Sequence, residues 1–296
     1  MVKRHVRLSE EAEAAISAFV DGVDERLSNV EDTSEAVREI LVDLNGDRAA
    51  YDAWKNGDPV SPAERLRLQA YDPRNVTLET DYHAQKGEEE FRESKPLMWL
   101  WYGFDATPLA DHVALALRFR SMLAKHLFEE CGEDCRFFKG IRFGYGHNLS
   151  VGDNVVVHDD VLLDDRGKLT IGDGCSITEG THVYSHDHDL VDQSDVSHYH
   201  TIIGDDVRLT YDVVVTAGCE IGENAMVGSR AIVTKDVPAH HVVVGTPARS
   251  IRVKPGYEDV ADPVDAPAES GAEKRLIERN VDLGGEEALD EFRRDR

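Results

Sequence analysis

The chain has 296 residues, 41% of them hydrophobic, enough for one large or two modest domains. Its 58 acidic residues outnumber 33 basic ones, of which only ten are lysine, leaving a net charge of −25. Such a surface repels nucleic acid and anionic membrane, and no run of 18 apolar residues offers a membrane span.

Residues 1–132 carry no repeat and read as a helical N-terminal region. Ser9 stands as a cap before Ile16, Phe19, Val20, Val23 and Leu27, which recur at helical spacing. Asp32 and Glu35 form a capping-box pattern ahead of Val37, Ile40, Leu41 and Leu44, with Gly46 as the stop. Ser61-Pro62-Ala63-Glu64 places a cap, a proline and a carboxylate in the order a helix start needs. The aromatic stretch Leu97–Phe104 reads as a plug for the base of whatever follows, with a stacking surface for a sugar as the sharper alternative. Thr107-Pro108 is expected to open a long amphipathic helix through Leu109, Val113, Leu117, Leu123 and Leu127, ending near Gly132.

From residue 133 the period changes. Phe138, Ile141 and Phe143 suggest an introductory coil. Val151, Val157 and Leu163 then open sixes, and a two-residue insertion around Asp165-Arg-Gly-Lys168 shifts the frame. Ile171, Ile177 and Val183 resume it. After a gap come Ile203, Leu209, Val215, Ile221, Val227 and Val233, each opening a six whose fifth position is small and apolar. No helix has a six-residue period, and a simple strand has period two. A fixed short repeat with a turn in each unit is a solenoid, three units closing one triangular coil. With coils about 4.8 Å apart, the rod is roughly 25–30 Å long.

Between Val183 and Ile203 lie about 14 residues more than the repeat requires, so a loop leaves the rod. It carries His186, His188, His198 and His200, and His182 immediately precedes it; these are five of the 13 histidines of the chain. Loops on rigid scaffolds carry function, and imidazole is neutral enough at pH 7 to take a proton. Asp192 and Asp195 are the nearby acids. Cys175 and Cys219 fall at small interior positions; Cys131 and Cys135 have no second pair, so all four read as free thiols rather than a zinc set.

The loop motif Tyr-Ser-His-Asp-His-Asp (184–189), the sixes after it, Val-Thr-Lys-Asp-Val-Pro (233–238) and Gly-Thr-Pro-Ala-Arg (245–249) resemble the hexapeptide-repeat O-acetyltransferases, in the group of the maltose, galactoside and nodulation enzymes. The resemblance covers about residues 135–253. It implies a left-handed parallel β-helix at 133–254, a homotrimer, and acetyl-CoA lodged between neighbouring rods, with no metal. A small-molecule hydroxyl acceptor, a sugar or polysaccharide precursor, is implied too. Aligning Tyr184 with the family tyrosine puts the catalytic imidazole at His188, with His186 as the fallback. The same alignment gives Ser229, Thr234, Lys235 and Arg249 as contacts to coenzyme A. Arg208 and Tyr211 stand where the family often has tryptophan and glycine. Two other readings are a zinc enzyme of carbonic anhydrase type, built from the five histidines, and a non-catalytic trimeric scaffold.

Residues 255–296 are acidic and proline-bearing and read as a tail, with Glu273–Arg279 and Glu286–Arg294 as short polar helices if it docks. The acid excess resembles that of cytosolic proteins from salt-loving organisms, where salt shortens the Debye length to roughly 3 Å. A cytoplasmic location is the corresponding expectation.

Overall fold

The computed structural model describes residues 7–82, 88–192, 195–264 and 274–279. Among the described residues, seven α-helices precede a parallel β-solenoid of about six turns. The helices are α1 (Glu10–Ser28), α2 (Thr33–Leu44), α3 (Arg48–Lys55), α4 (Pro62–Gln69), α5 (Glu79–Tyr82), α6 (Glu88–Asp105) and α7 (Val113–Leu127). Among the described residues no helix is long and apolar enough to cross a membrane.

The three expected caps are present. Ser9 accepts from the Ala12 N–H, Asp32 from those of Ser34 and Glu35, and Ser61 from that of Glu64. Each satisfies donors the first helical turn leaves open. Glu35 does not close the box at Asp32; it pairs with Arg38 at 2.8 Å. Helices α2 and α6 pack closely, because Gly103 lies where any Cβ would come within 2.5 Å of Leu41 Cδ2.

Helix α7 departs from expectation. Thr107-Pro108 begins a short 3₁₀ turn, Pro108–Asp111, and the chain breaks at His112 before α7 starts. That break rotates the helix. Leu109 and Val113 are exposed, while Leu115, Phe119, Arg120, Leu123 and Leu127 form the buried face. Arg120 is taken inside because Asp105 Oδ1 meets Nη2 at 2.6 Å and Nε at 2.8 Å. Asp105 Oδ2 also accepts the Gly140 N–H of the first coil at 2.9 Å. One buried ion pair thus fastens α6, α7 and the solenoid together.

The aromatic stretch is part of α6 and plugs the rod, as its packing reading required. Trp101 is fully buried, its ring 5.1 Å from Phe143 and 5.9 Å from Phe137. Phe128 closes the cluster at 5.3 Å from Phe143. The inward residue of that first coil is Phe137, not Phe138; Phe138 points out and stacks on His158 at 5.0 Å.

Each coil contributes one short strand to each of three parallel faces. The first face runs Glu130–Cys131, Leu149–Val151, Lys168–Ile171, the end of Val196–Ile203, and Glu220–Ile221. The second runs from Arg136–Phe137 through Arg208–Leu209 and Met226–Val227 to His241–Val244, where Arg249–Val253 returns antiparallel. The third runs Arg142–Phe143, Leu162–Leu163, His182–Val183, Val214–Val215 and Ile232–Val233. Every repeat-opening residue from Val151 to Val233 is at most 3% exposed, and the small fifth positions stack beneath the corners. Corners need a left-handed residue. Asn154, Asp160, Asp206, Asp212 and Asn224 supply it at φ near 55°, and Gly174, Gly180 and Gly218 at 69–75°. Asn and Asp tolerate that region better than other residues with a Cβ.

The tail also differs from expectation. Leu276–Glu278 is a strand, not part of a helix, and it pairs antiparallel with Val196–Ile203. The other expected helix, 286–294, lies outside the described residues.

Candidate active site

The arm leaves the rod at the corner between the third and first faces, after Val183. His186–His188 runs antiparallel to the start of Val196–Ile203, with His186 opposite His198 and His188 opposite Val196. Its root is fixed by the corner below. The Thr201 hydroxyl donates to the Tyr184 carbonyl at 2.7 Å and accepts the Gly218 N–H at 2.8 Å. The Ser185 hydroxyl accepts the Gly167 N–H at 2.8 Å. Glycine is required at 167, since a Cβ would meet Tyr199 O at 2.2 Å and Ser185 O at 2.6 Å.

The two-residue insertion in the preceding coil holds two buried carboxylates side by side. Asp164 Oδ2 lies 2.6 Å from His186 Nδ1 and accepts the Ser185 N–H at 3.0 Å. Its side chain is 6% exposed and that of His186 is 14%. Burial opposes ionisation of Asp164. The His186 contact, the Ser185 N–H and nearby Arg166 outweigh it, so the carboxyl is held below its usual range. Asp165 goes the other way. It is fully buried and adjoins Asp164, and its pKa is pushed up to about 6 even though it accepts the N–H groups of Tyr145 and Asn148.

The arrangement is therefore a carboxylate holding one ring nitrogen of an imidazole and fixing the ring plane. The other nitrogen is left to meet a proton donor. The carboxylate against His186 belongs to Asp164 of the rod.

His188 is exposed, and its ring lies edge-to-face with His186 at 5.3 Å. His198 is buried, and burial first, then the neighbouring His186, lowers its pKa. His182 Nδ1 lies 3.3 Å from the Tyr184 hydroxyl, and His200 Nε2 lies 2.8 Å from the Thr170 hydroxyl. Among the described residues, no group of three or more His, Cys, Asp and Glu side chains is placed to hold a metal ion. The zinc reading therefore has no geometric support there.

The four expected contacts to coenzyme A are all exposed, and they divide between two edges. Thr234 and Lys235 follow Val233 at the corner that also carries the arm, two coils further along. Ser229 lies on the corner between the second and third faces, its hydroxyl donating to that of Thr210 at 3.2 Å. Arg249 opens the returning strand opposite Val244. A single rod does not bring the two pairs together. The third face lies between the two edges, with Leu162, Val214 and Ile232 half-buried on its outside.

A galactoside O-acetyltransferase of Escherichia coli K12 is 32% identical to the chain over 137 residues, covering 45% of the chain and 68% of that protein. A second E. coli K12 acetyltransferase is 31% identical over 154 residues, 52% of this chain and 85% of its own length. Among solved structures, a maltose O-acetyltransferase from Clostridium difficile 630 matches with a TM-score of 0.51 at 29% identity, over 56% of this chain and 89% of that one. No protein-family model matches. A rod of sixes with an extruded imidazole arm and these relatives together define an acyltransferase. The chain belongs to the hexapeptide-repeat acetyltransferases.

Proposed function

We propose that the protein moves an acetyl group from acetyl-CoA to a hydroxyl of a sugar or polysaccharide precursor, in a crevice between neighbouring rods of a trimer. The observation that carries the reading is the Asp164–His186 pair at the root of the arm, 2.6 Å apart. A sugar hydroxyl is a poor nucleophile until a base takes its proton as it attacks the thioester carbonyl. A fixed imidazole contributes roughly 10²–10⁴ to that step, about 3–5 kcal/mol. Backbone N–H groups of the coil are suited to receive the tetrahedral oxyanion. Relatives named for galactoside and maltose support a sugar acceptor.

The trimer would unite the two edges. Ser229 and Arg249 of one rod would face Thr234, Lys235 and the arm of its neighbour. Lys235 and Arg249 carry the positive charge for phosphates, the guanidinium suiting a terminal phosphate best. The half-buried aliphatic row Leu162, Val214 and Ile232 suits the contact between rods.

His186 is the base on this geometry, because Asp164 orients it. His188 is the second reading. It is exposed, one step beyond on the same strand, and occupies the position the family motif favours. Coenzyme A release with a sugar acceptor, measured for His186→Ala and His188→Ala, separates them. Loss of about 10²-fold or more in the first alone assigns the base to His186. Loss in the second alone moves it to His188. Calorimetric titration with coenzyme A at high salt tests the donor site. A protein that binds no coenzyme A as a trimer is a scaffold, and the proposal fails.

A further inference from the structure

The strand Leu276–Glu278 is joined to the arm by more than one ladder. It lies on the edge of Val196–Ile203 opposite His186–His188, with Glu278 across from His198 and Leu276 across from Tyr199. His186, His198 and Glu278 therefore sit in one row across three strands, and Asp164 begins that row. The His200 N–H donates to the Arg275 carbonyl at 2.8 Å. Arg275 is a clamp. Its guanidinium bonds both carboxylate oxygens of Asp236 at 3.0 Å and the Gly218 carbonyl at 3.1 Å, and it pairs with Glu220. Lys274 Nζ donates to the Thr216 hydroxyl at 3.2 Å.

The rod is shaped to receive the segment. A Cβ at Gly218 would meet Lys274 Cβ at 2.6 Å and Tyr199 Cδ1 at 2.9 Å. Three of the six residues 274–279 are basic in a chain of net charge −25, and Arg275 among them meets two acids of the rod, Glu220 and Asp236. An arm strand with an open edge would otherwise be a free pairing site.

We propose that this C-terminal strand is a working part of the catalytic arm, positioning His186 through His198 so that turnover depends on its docking. The inference rests on the acetyl-transfer reading above. Glu278 and Arg275 are positioning residues, remote from the reacting atoms. Catalytic groups lose efficiency steeply with small misplacement, up to about 100-fold for an ångström. The charged and titratable groups around His198 are His186, Asp164, Glu278 and Arg166. Removing the Glu278 charge leaves the row less favourable to a proton.

The test uses the full chain with Arg275→Ala, Arg275→Lys and Glu278→Gln. Docking is read by hydrogen exchange at the amides of 198–200, and catalysis by kcat, KM and their pH profile. Arg275→Ala should speed exchange at the His200 amide and lower kcat about tenfold, with KM for acetyl-CoA within about twofold. Arg275→Lys should recover part of both. Glu278→Gln should move the acid limb of the kcat profile to lower pH. Wild-type kcat and an unmoved profile in both Arg275→Ala and Glu278→Gln would overturn the proposal. So would a His200 amide that exchanges freely in the wild type. If the wild type protects that amide but transfers no acetyl group, the acetyl-transfer reading has failed and the positioning role fails with it.

Discussion

Asp164 concentrates the electrostatics of the arm in one carboxylate. Its folded pKa is depressed below 3.8 by His186, the Ser185 N–H and Arg166 against the opposing effect of burial. A depressed carboxyl stabilises the fold above its unfolded pKa, and that contribution is lost as pH falls through the folded value. Asp164→Asn should therefore melt below wild type at pH 7, and the gap should narrow as pH drops below 3.8, measured by thermal unfolding across pH. Asp165 has the opposite sign. Its pKa is raised to about 6, so its contribution is complete below the unfolded pKa and lost as pH rises through 6. Arg120 shows the same dependence on partners. Arg120→Ala would strand Asp105 and the Phe137 and Ala110 carbonyls inside the helical junction, at a cost of about 3–5 kcal/mol in denaturant unfolding. Arg120→Met should cost less. Neither residue was legible as a site. Asp164 stands a full coil before the arm it serves, and Arg120 lies on a helix whose phase is set by the His112 break.

Elements were legible where a local rule decides them. The six-residue period fixed the coils, the inward residues and the extruded arm, because every coil repeats the same burial problem. Corners follow the same logic. Asp206 sits at φ 55°, a conformation a β-branched side chain resists. Asp206→Val should cost about 1–3 kcal/mol in melting experiments, and Asp206→Gly far less. Where tertiary contacts decide, the sequence was silent. Pro96 inside α6 hides an 18-residue helix whose continuity rests on packing against α2 and the first coil. The strand Leu276–Glu278 exists because the arm leaves an edge to cover. Nothing in three residues beside an acidic, proline-bearing stretch announces that partner.

At the scale of the whole molecule, two features of the chain bear on one another. The net charge of −25 makes self-repulsion a term in both folding and assembly. Salt shortens the Debye length from about 10 Å at 0.1 M to about 3 Å at 1 M, so the melting temperature should rise over that range. A flat or falling curve would show that the acid excess is balanced locally. The helical region, tied to the first coil by Asp105 and the Trp101 cluster, closes one end of the rod.

The most direct measurement is acetyl-CoA-dependent release of coenzyme A with a sugar acceptor at molar salt, for the wild type and for the His186→Ala/His188→Ala double variant, with oligomer size followed in parallel. The account predicts acetylated acceptor in step with released thiol for the wild type, and a drop of at least about 100-fold in the double variant, both as trimers. A double variant that turns over like the wild type, or a wild-type trimer that neither binds coenzyme A nor releases it, would contradict the account.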